Sequence, residues 1–223
     1  LPMAVEIAEI TGRCGTERGV LEPFICIDEA GDKYYLKGSN CTAHGSIAEW
    51  LATNLAKAFG LPVPSPAIAR VDPGMVDAMD DLKWQMDLKY EYYFASAEVP
   101  FAQTPNRSEL NSVEEELKTD IAVFDCWVNN LDRKSGNVNL LFEPGVSALH
   151  VIDFNNAFDP DFSVASLEES HVFGDSLRAA AGDMFRRQSY QERMEQTLEG
   201  LERIIGQIPE EWIDSSTPEK GYI

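Results

Sequence analysis

An α+β chain in two parts is the fold class the sequence predicts, and three observations predict it. Short runs rich in aromatic and β-branched residues, bounded by glycine, proline and aspartate, fill the first hundred residues. From Val113 onward the apolar residues recur at steps of three and four. Between these patterns Pro100 and the polar segment Gln103-Thr104-Pro105-Asn106-Arg107 interrupt both periods. The expected division is therefore a β-rich part over 1–99 and a mainly helical part over 100–223.

Val5 to Ile10 and Val20 to Ile27 read as strands, and a turn over Asp28 to Asp32 returns the chain through Lys33-Tyr34-Tyr35-Leu36-Lys37. Thr11 to Gly19, with three glycines, is expected as the connection between the first two strands; such glycines let backbone amides approach phosphate oxygens, and equally serve an ordinary flexible loop. Ser46 is expected to open a helix that carries Trp50, Leu51, Leu55 and Phe59 on one face and stops at Gly60 and Pro62. An extended connector of alternating prolines leads into a strand over Ala67 to Val71, and residues 72 to 89 allow a short helix. Tyr90 to Val99 is a second aromatic strand, at whose end an adenine could meet backbone groups.

The helical part begins with Ser112-Val113-Glu114-Glu115, which has the form of a capping box. Val113, Leu117, Ile121, Phe124, Val128 and Leu131 then bury one face. Leu140-Leu141-Phe142 and Leu149-His150-Val151-Ile152 flank the turn Glu143-Pro144-Gly145 as a hairpin. Beyond Asp161 the reading is helical, with an apolar stripe from Leu198 to Trp212, and Ser215 to Gly221 is expected to be a frayed tail.

Composition narrows the function classes. The chain has 223 residues, 44% of them hydrophobic and 10% aromatic, enough for a packed core. A formal net charge of −20 repels nucleic acid and anionic membranes and favours a basic protein or peptide as partner. No apolar run approaches the about 18 residues that span a bilayer, and the first residues lack a basic signal-peptide head, so a cytoplasmic protein is expected. Cys14, Cys26, Cys41 and Cys126 lack C-x-x-C spacing and are expected as reduced thiols, while His44, His150 and His171 are scattered and receive no catalytic role.

The densest polar motif is Asn130-Leu131-Asp132-Arg133-Lys134-Ser135-Gly136-Asn137, answered by Val151-Ile152-Asp153-Phe154. This order suits phosphoryl transfer from Mg-ATP. Asp132 would stand beside the attacking hydroxyl, with the Asn137 amide oxygen and the Asp153 carboxylate on the metal. Lys37, at the end of an aromatic strand, is placed to reach phosphates beneath the Gly15-Thr16 segment, or else simply points at water. Glu49 has two readings as well: the far end of a Ser46-x-x-Glu49 capping box, or the partner that holds Lys37.

In this order Lys37, Glu49, Asp132, Asn137 and Asp153 make the chain resemble the HipA-like kinases, a branch of the protein-kinase-like superfamily. The most specific matches are Phe124 to Arg133, Asn137 to Leu141 and Ile152-Asp153-Phe154, with support from Tyr35-Leu36-Lys37, Gly60-Leu61-Pro62-Val63-Pro64 and Ile208 to Trp212. The resemblance implies a two-lobed kinase fold in a compact form without the family's extra N-terminal subdomain. It implies ATP and Mg²⁺ as cofactors, Asp132 as the catalytic carboxylate, and Asn137 and Asp153 as metal ligands. Lys37 would sit on the α- and β-phosphates under Gly15 and Thr16, with Glu49 holding it, and Arg133 would stabilise either the loop or the transferring phosphate. A serine/threonine protein kinase is the expected function, with Thr16 a candidate for self-modification and an antitoxin-like partner allowed for. A kinase of small molecules or lipids and a nucleotide-binding pseudokinase are the alternatives. Gly12, Gly15 and Gly19 depart from G-x-G-x-x-G, and Asn155 stands where protein kinases place glycine after Asp-Phe.

Overall fold

The computed structural model describes residues 4–15 and 21–216, without the side chains of Ser215 and Ser216. It is α+β, β-rich in its first part and mainly helical after it. Two compact units make it up: unit 1 is Leu1–Trp50, Ser65–Glu98 and Gly206–Ile223, and unit 2 is Leu51–Pro64 and Val99–Ile205. They do not coincide with a single cut at 99, because residues 51–64 group with the later part and residues from Gly206 with the earlier one.

Unit 1 is built on β1 (Val5–Arg13), β2 (Phe24–Asp28), β3 (Lys33–Leu36), β4 (Pro66–Arg70) and β5 (Tyr92–Ala97), which form a closed barrel in the order β1-β2-β3-β5-β4. A short parallel pairing of Val5 and Glu6 with Ala69 and Arg70 closes it, so no strand of this sheet is left as an edge. Ile7, Phe24, Cys26, Leu36, Ala69, Val71, Tyr93 and Ala95 fill its core. A fully buried side chain the size of Phe24 or Leu36 contributes about 1.5–3 kcal/mol. β1 is longer than its apolar pattern suggests. It continues to Arg13 through register shifts at Ile7/Glu9 and Ile10/Gly12, so Gly12 lies in a strand and not in the connecting loop.

Between β3 and β4 the chain forms the helix α1 (Ala43–Phe59), whose first residues belong to unit 1. The segment after β4 makes two short helices, α2 (Pro73–Asp77) and α3 (Leu82–Asp87), each started by an aspartate whose carboxylate takes backbone N–H groups. The last helix, α10 (Glu210–Ser216), also belongs to unit 1. Trp212 Nε1 donates to the Tyr92 carbonyl at 2.9 Å, and the Glu211 carboxylate accepts the Tyr92 N–H at 2.6 Å.

Unit 2 comprises α4 (Arg107–Ser112), α5 (Glu115–Trp127), the hairpin β6 (Leu140–Glu143) and β7 (Ala148–Val151), then α6 (Val164–Ser170), α7 (Gly174–Ala181), α8 (Met184–Leu198) and α9 (Leu201–Ile205). The capping box expected at Ser112 does not form: α5 starts after Glu114 with no side-chain cap, and a capping box opens α4 at Asn106. Asn106 caps the Ser108 and Glu109 N–H groups while Glu109 reaches back to the Asn106 N–H, and Ser112 ends α4 instead of starting α5. Phe59, Phe124, Trp127 and Phe154 pack as an aromatic cluster with ring centroids 5.4–6.0 Å apart. Among the described residues no helix is long and apolar enough to cross a membrane, and the four cysteines are reduced thiols.

Candidate active site

In unit 1 the structure pairs Glu49 with Lys37 and not with a cap at Ser46. The helix α1 starts at Ala43, with Thr42 Oγ1 accepting the Gly45 N–H at 3.1 Å, so Ser46 lies inside the helix and cannot cap it. Glu49, released from that role and nearly without exposed surface, accepts a hydrogen bond and ion pair from Lys37 Nζ. The Lys37 side chain, 13% exposed, is thus fixed between the end of the β3–β5 pairing and α1 instead of trailing in water. Its backbone N–H bonds the Phe94 carbonyl at 3.0 Å.

The residue after Lys37 is equally constrained. A Cβ at Gly38 would come within 2.8 Å of the Asp87 carboxylate. That carboxylate is held by Arg13 Nη2 at 2.5 Å and by the Asn40 N–H at 2.9 Å. Arg13 in turn bonds the Glu22 carbonyl at 2.8 Å and lies over the Phe24 ring. Both ends of the connection between β1 and β2 are therefore tied down next to Lys37's strand. Gly15 is exposed, at the end of the first described stretch; Thr16 lies outside the described residues.

In unit 2 the motif loop begins where α5 ends. Asn129 takes the left-handed conformation, φ +53°, which asparagine tolerates better than most residues. The Asn130 N–H then bonds the Asp125 carbonyl at 2.8 Å and the Asn129 N–H that of Cys126, the paired bonds of a Schellman stop. Asn130, fully buried, donates Nδ2 to Asp125 Oδ1 at 2.8 Å and accepts the Asp132 N–H at 3.2 Å.

Arg133 is fully buried and grips this turn from inside. Nε and Nη2 bond the two Asp125 oxygens at 2.6 and 3.3 Å, while Nη1 bonds the carbonyls of Asn139 and Ile152, the residues just outside the two hairpin strands. Its guanidinium also lies 5.1 Å from the Phe154 ring centroid. With its donors so used and no exposed surface, Arg133 holds the loop, and the reading of Arg133 as a group on the transferring phosphate is corrected. His171 completes the network: Nδ1 accepts the Phe173 N–H at 3.0 Å, so Nε2 carries the hydrogen given to Asp125 Oδ2 at 2.9 Å. Burial alone would raise the Asp125 carboxyl, but the Arg133 charge and the His171 hydrogen bond outweigh it and hold the carboxyl below its ordinary range.

The result is that Asp132, Asn137 and Asp153 are displayed at one end of the hairpin. Asn137 donates Nδ2 to Asp132 Oδ2 at 3.3 Å, so its amide oxygen is the atom that could meet a cation. Asp153 follows β7 with φ +66°, a conformation that costs about 1–2 kcal/mol in a non-glycine residue, while Phe154 is buried against Phe124. An amide oxygen and a carboxylate are hard donors that fit magnesium, which takes few protein ligands and completes its shell with phosphate oxygens and water. Among the described residues no three His, Cys, Asp or Glu side chains cluster as a metal cage.

Sequence reasoning missed Asp125, Asn130 and His171, the supports behind the motif, and two further amides on Asp132, from Asn139 and Asn156. Asp125 carried a signal: a carboxylate inside the apolar run Ile121 to Val128 requires a buried partner.

The family model for HipA-like kinases matches residues 7–221. No curated protein matches the chain significantly. Among solved structures, the crystal structure of a Helicobacter pylori proinflammatory kinase, CtkA, is similar at 16% identity and a TM-score of 0.48, over 78% of this chain and 65% of that one. The chain thus spans about two thirds of the length of that neighbour.

Proposed function

The chain belongs to the HipA-like kinase family, and from that premise we propose that it is an ATP- and Mg²⁺-dependent phosphotransferase of two-lobed, protein-kinase-like fold acting on serine or threonine of a protein. The observation that carries the reading is the display of Asp132, Asn137 and Asp153 on a loop and hairpin locked by Arg133. Phosphoryl transfer leaves little covalent work to side chains, so positioning and charge are the catalysis. Asp132 orients the acceptor hydroxyl and takes its proton. Asn137 and Asp153 are the residues that hold the magnesium, which when bound neutralises charge on the phosphate oxygens. Lys37, steadied by Glu49, binds the α- and β-phosphates, and the Gly15-Thr16 segment is the proposed phosphate loop.

The net charge of −20 favours a basic acceptor protein, or a basic antitoxin-like partner. An acceptor screen with γ-labelled ATP tests the whole reading. Label on serine or threonine of a protein acceptor, abolished by chelating magnesium and by Asp153→Ala, is the expected result. Label only on small cationic acceptors would move the substrate class to small molecules. ATP binding with no transfer to any acceptor would make the chain a pseudokinase.

A further inference from the structure

Asp132 has a lopsided environment. Its Oδ2 is met by three amide groups, Asn137 Nδ2 at 3.3 Å, Asn139 Nδ2 at 3.1 Å and Asn156 Nδ2 at 3.2 Å, while no hydrogen bond reaches Oδ1 among the described residues. The three donors come from the motif loop, the entry to β6 and the segment after Asp153-Phe154.

Both unassigned donors are held by their backbones. Asn139 is left-handed, φ +46°, and its carbonyl is gripped by Arg133 Nη1 while also accepting the Ile152 N–H at 3.2 Å. Asn156 sits where the chain turns back on α5's end: the Ala157 N–H bonds the Phe154 carbonyl at 2.9 Å, and the Phe158 N–H bonds the Val128 carbonyl at 2.6 Å. Two side-chain amides delivered to one carboxylate oxygen by separately fixed backbones act as a stop against rotation about the Asp132 Cβ–Cγ bond.

Resting on the kinase reading, we infer that Asn139 and Asn156 are positioning residues for the phosphotransfer, a cradle that fixes Oδ2 and so presents Oδ1 to the acceptor hydroxyl. Neither touches the reacting atoms; they act through Asp132. A side chain at 156 that accepts instead of donating would turn the carboxylate away, so Asn156→Asp is more damaging than Asn156→Ala.

The test compares wild type, Asp132→Ala, Asn156→Ala, Asn156→Asp and the double variant Asn139→Ala/Asn156→Ala. Transfer of γ-labelled phosphate to the protein itself, to histone and to a bacterial lysate is measured beside Mg-ATP affinity and the crystal structure of the double variant. The expected result is a fall in transfer of about 10- to 100-fold for the double variant at unchanged Mg-ATP affinity, with the Asp132 carboxylate rotated away from its wild-type orientation. Wild-type transfer in the double variant, or an Asp132 carboxylate still in place without both amides, overturns the inference. If wild type itself transfers nothing, the kinase reading fails, and the orientation of Asp132 in the double variant still decides whether the cradle exists.

Discussion

Two buried ion pairs serve this chain differently. In unit 1, Lys37 and Glu49 form a pair whose cation keeps 13% of its side chain exposed, so under the proposed function the pair itself presents the phosphate-binding ammonium. In unit 2, Arg133 and Asp125 keep 0% and 1% of theirs, and the residue proposed to act, Asp132, is the neighbour of Arg133 in the chain. A presenting pair needs only to be steady, whereas a scaffolding pair must also satisfy the backbone it gathers. Arg133 answers two carbonyls besides Asp125, and Asp125 answers Asn130 and His171 besides Arg133.

That difference predicts how each pair breaks. Removing both charges of a buried pair with size kept is often near neutral, so Lys37→Met/Glu49→Gln should change unfolding free energy by about 1 kcal/mol or less while transfer falls by roughly 100-fold or more. The matching variant Asp125→Asn/Arg133→Met strands the Ile152 carbonyl, takes one of two donors from the Asn139 carbonyl, and leaves a single amide oxygen where Asn130 and His171 had one carboxylate oxygen each, every unsatisfied group costing about 1–3 kcal/mol. Urea unfolding should show a loss of about 3 kcal/mol or more for it. Equal losses from the two double variants would erase the distinction.

A smaller effect probes the turn that delivers the motif. Asn129→Ala, at φ +53°, should cost about 1 kcal/mol, and Asn129→Gly should cost less than half of that, measured by the same unfolding. If alanine and glycine behave alike, the left-handed stop is not what ends α5.

The smallest effect over the neutral range is a difference in pH response. Asp125 is held below its unfolded value, so its contribution is present above about pH 4 and is lost as pH falls through the folded value. Glu211 is the reverse. Its burial raises it against the Tyr92 and Glu91 N–H groups that lower it, so its contribution is complete below an unfolded value of about 4.3 and declines as pH rises through the folded one. Stability profiles should therefore lose their slope above about pH 4 in Glu211→Gln and their acid limb in Asp125→Asn. Identical profiles in both variants would contradict the opposite signs.

Particular residues show what was legible. The strands of unit 1 and the hairpin of unit 2 announce themselves by period and punctuation, and Asp132, Asn137 and Asp153 by spacing along a short stretch. Helix starts were less legible: Ser46 and Ser112 have capping-box spacing, yet Thr42 caps the first helix and α5 starts after Glu114 with no side-chain cap, because cap spacing in the sequence does not fix the backbone angle a cap needs. Glu49's choice of Lys37 and the turn of α10 back to β5 depend on packing between segments far apart in sequence, which no local pattern encodes. The supports of Asp132 were hidden for the same reason, since His171 meets Asp125 only through the placement of α6.

The role proposed for Asp132 is tested by the rate of γ-phosphate transfer from Mg-ATP by Asp132→Asn relative to wild type, at matched folded fraction. Wild type is expected to transfer label, and the variant to bind Mg-ATP equally well but to transfer at roughly a thousandth of the wild-type rate or less. Transfer by the variant within about tenfold of wild type would contradict it, because the carboxylate that this loop, hairpin and buried network place would then not be the one that works.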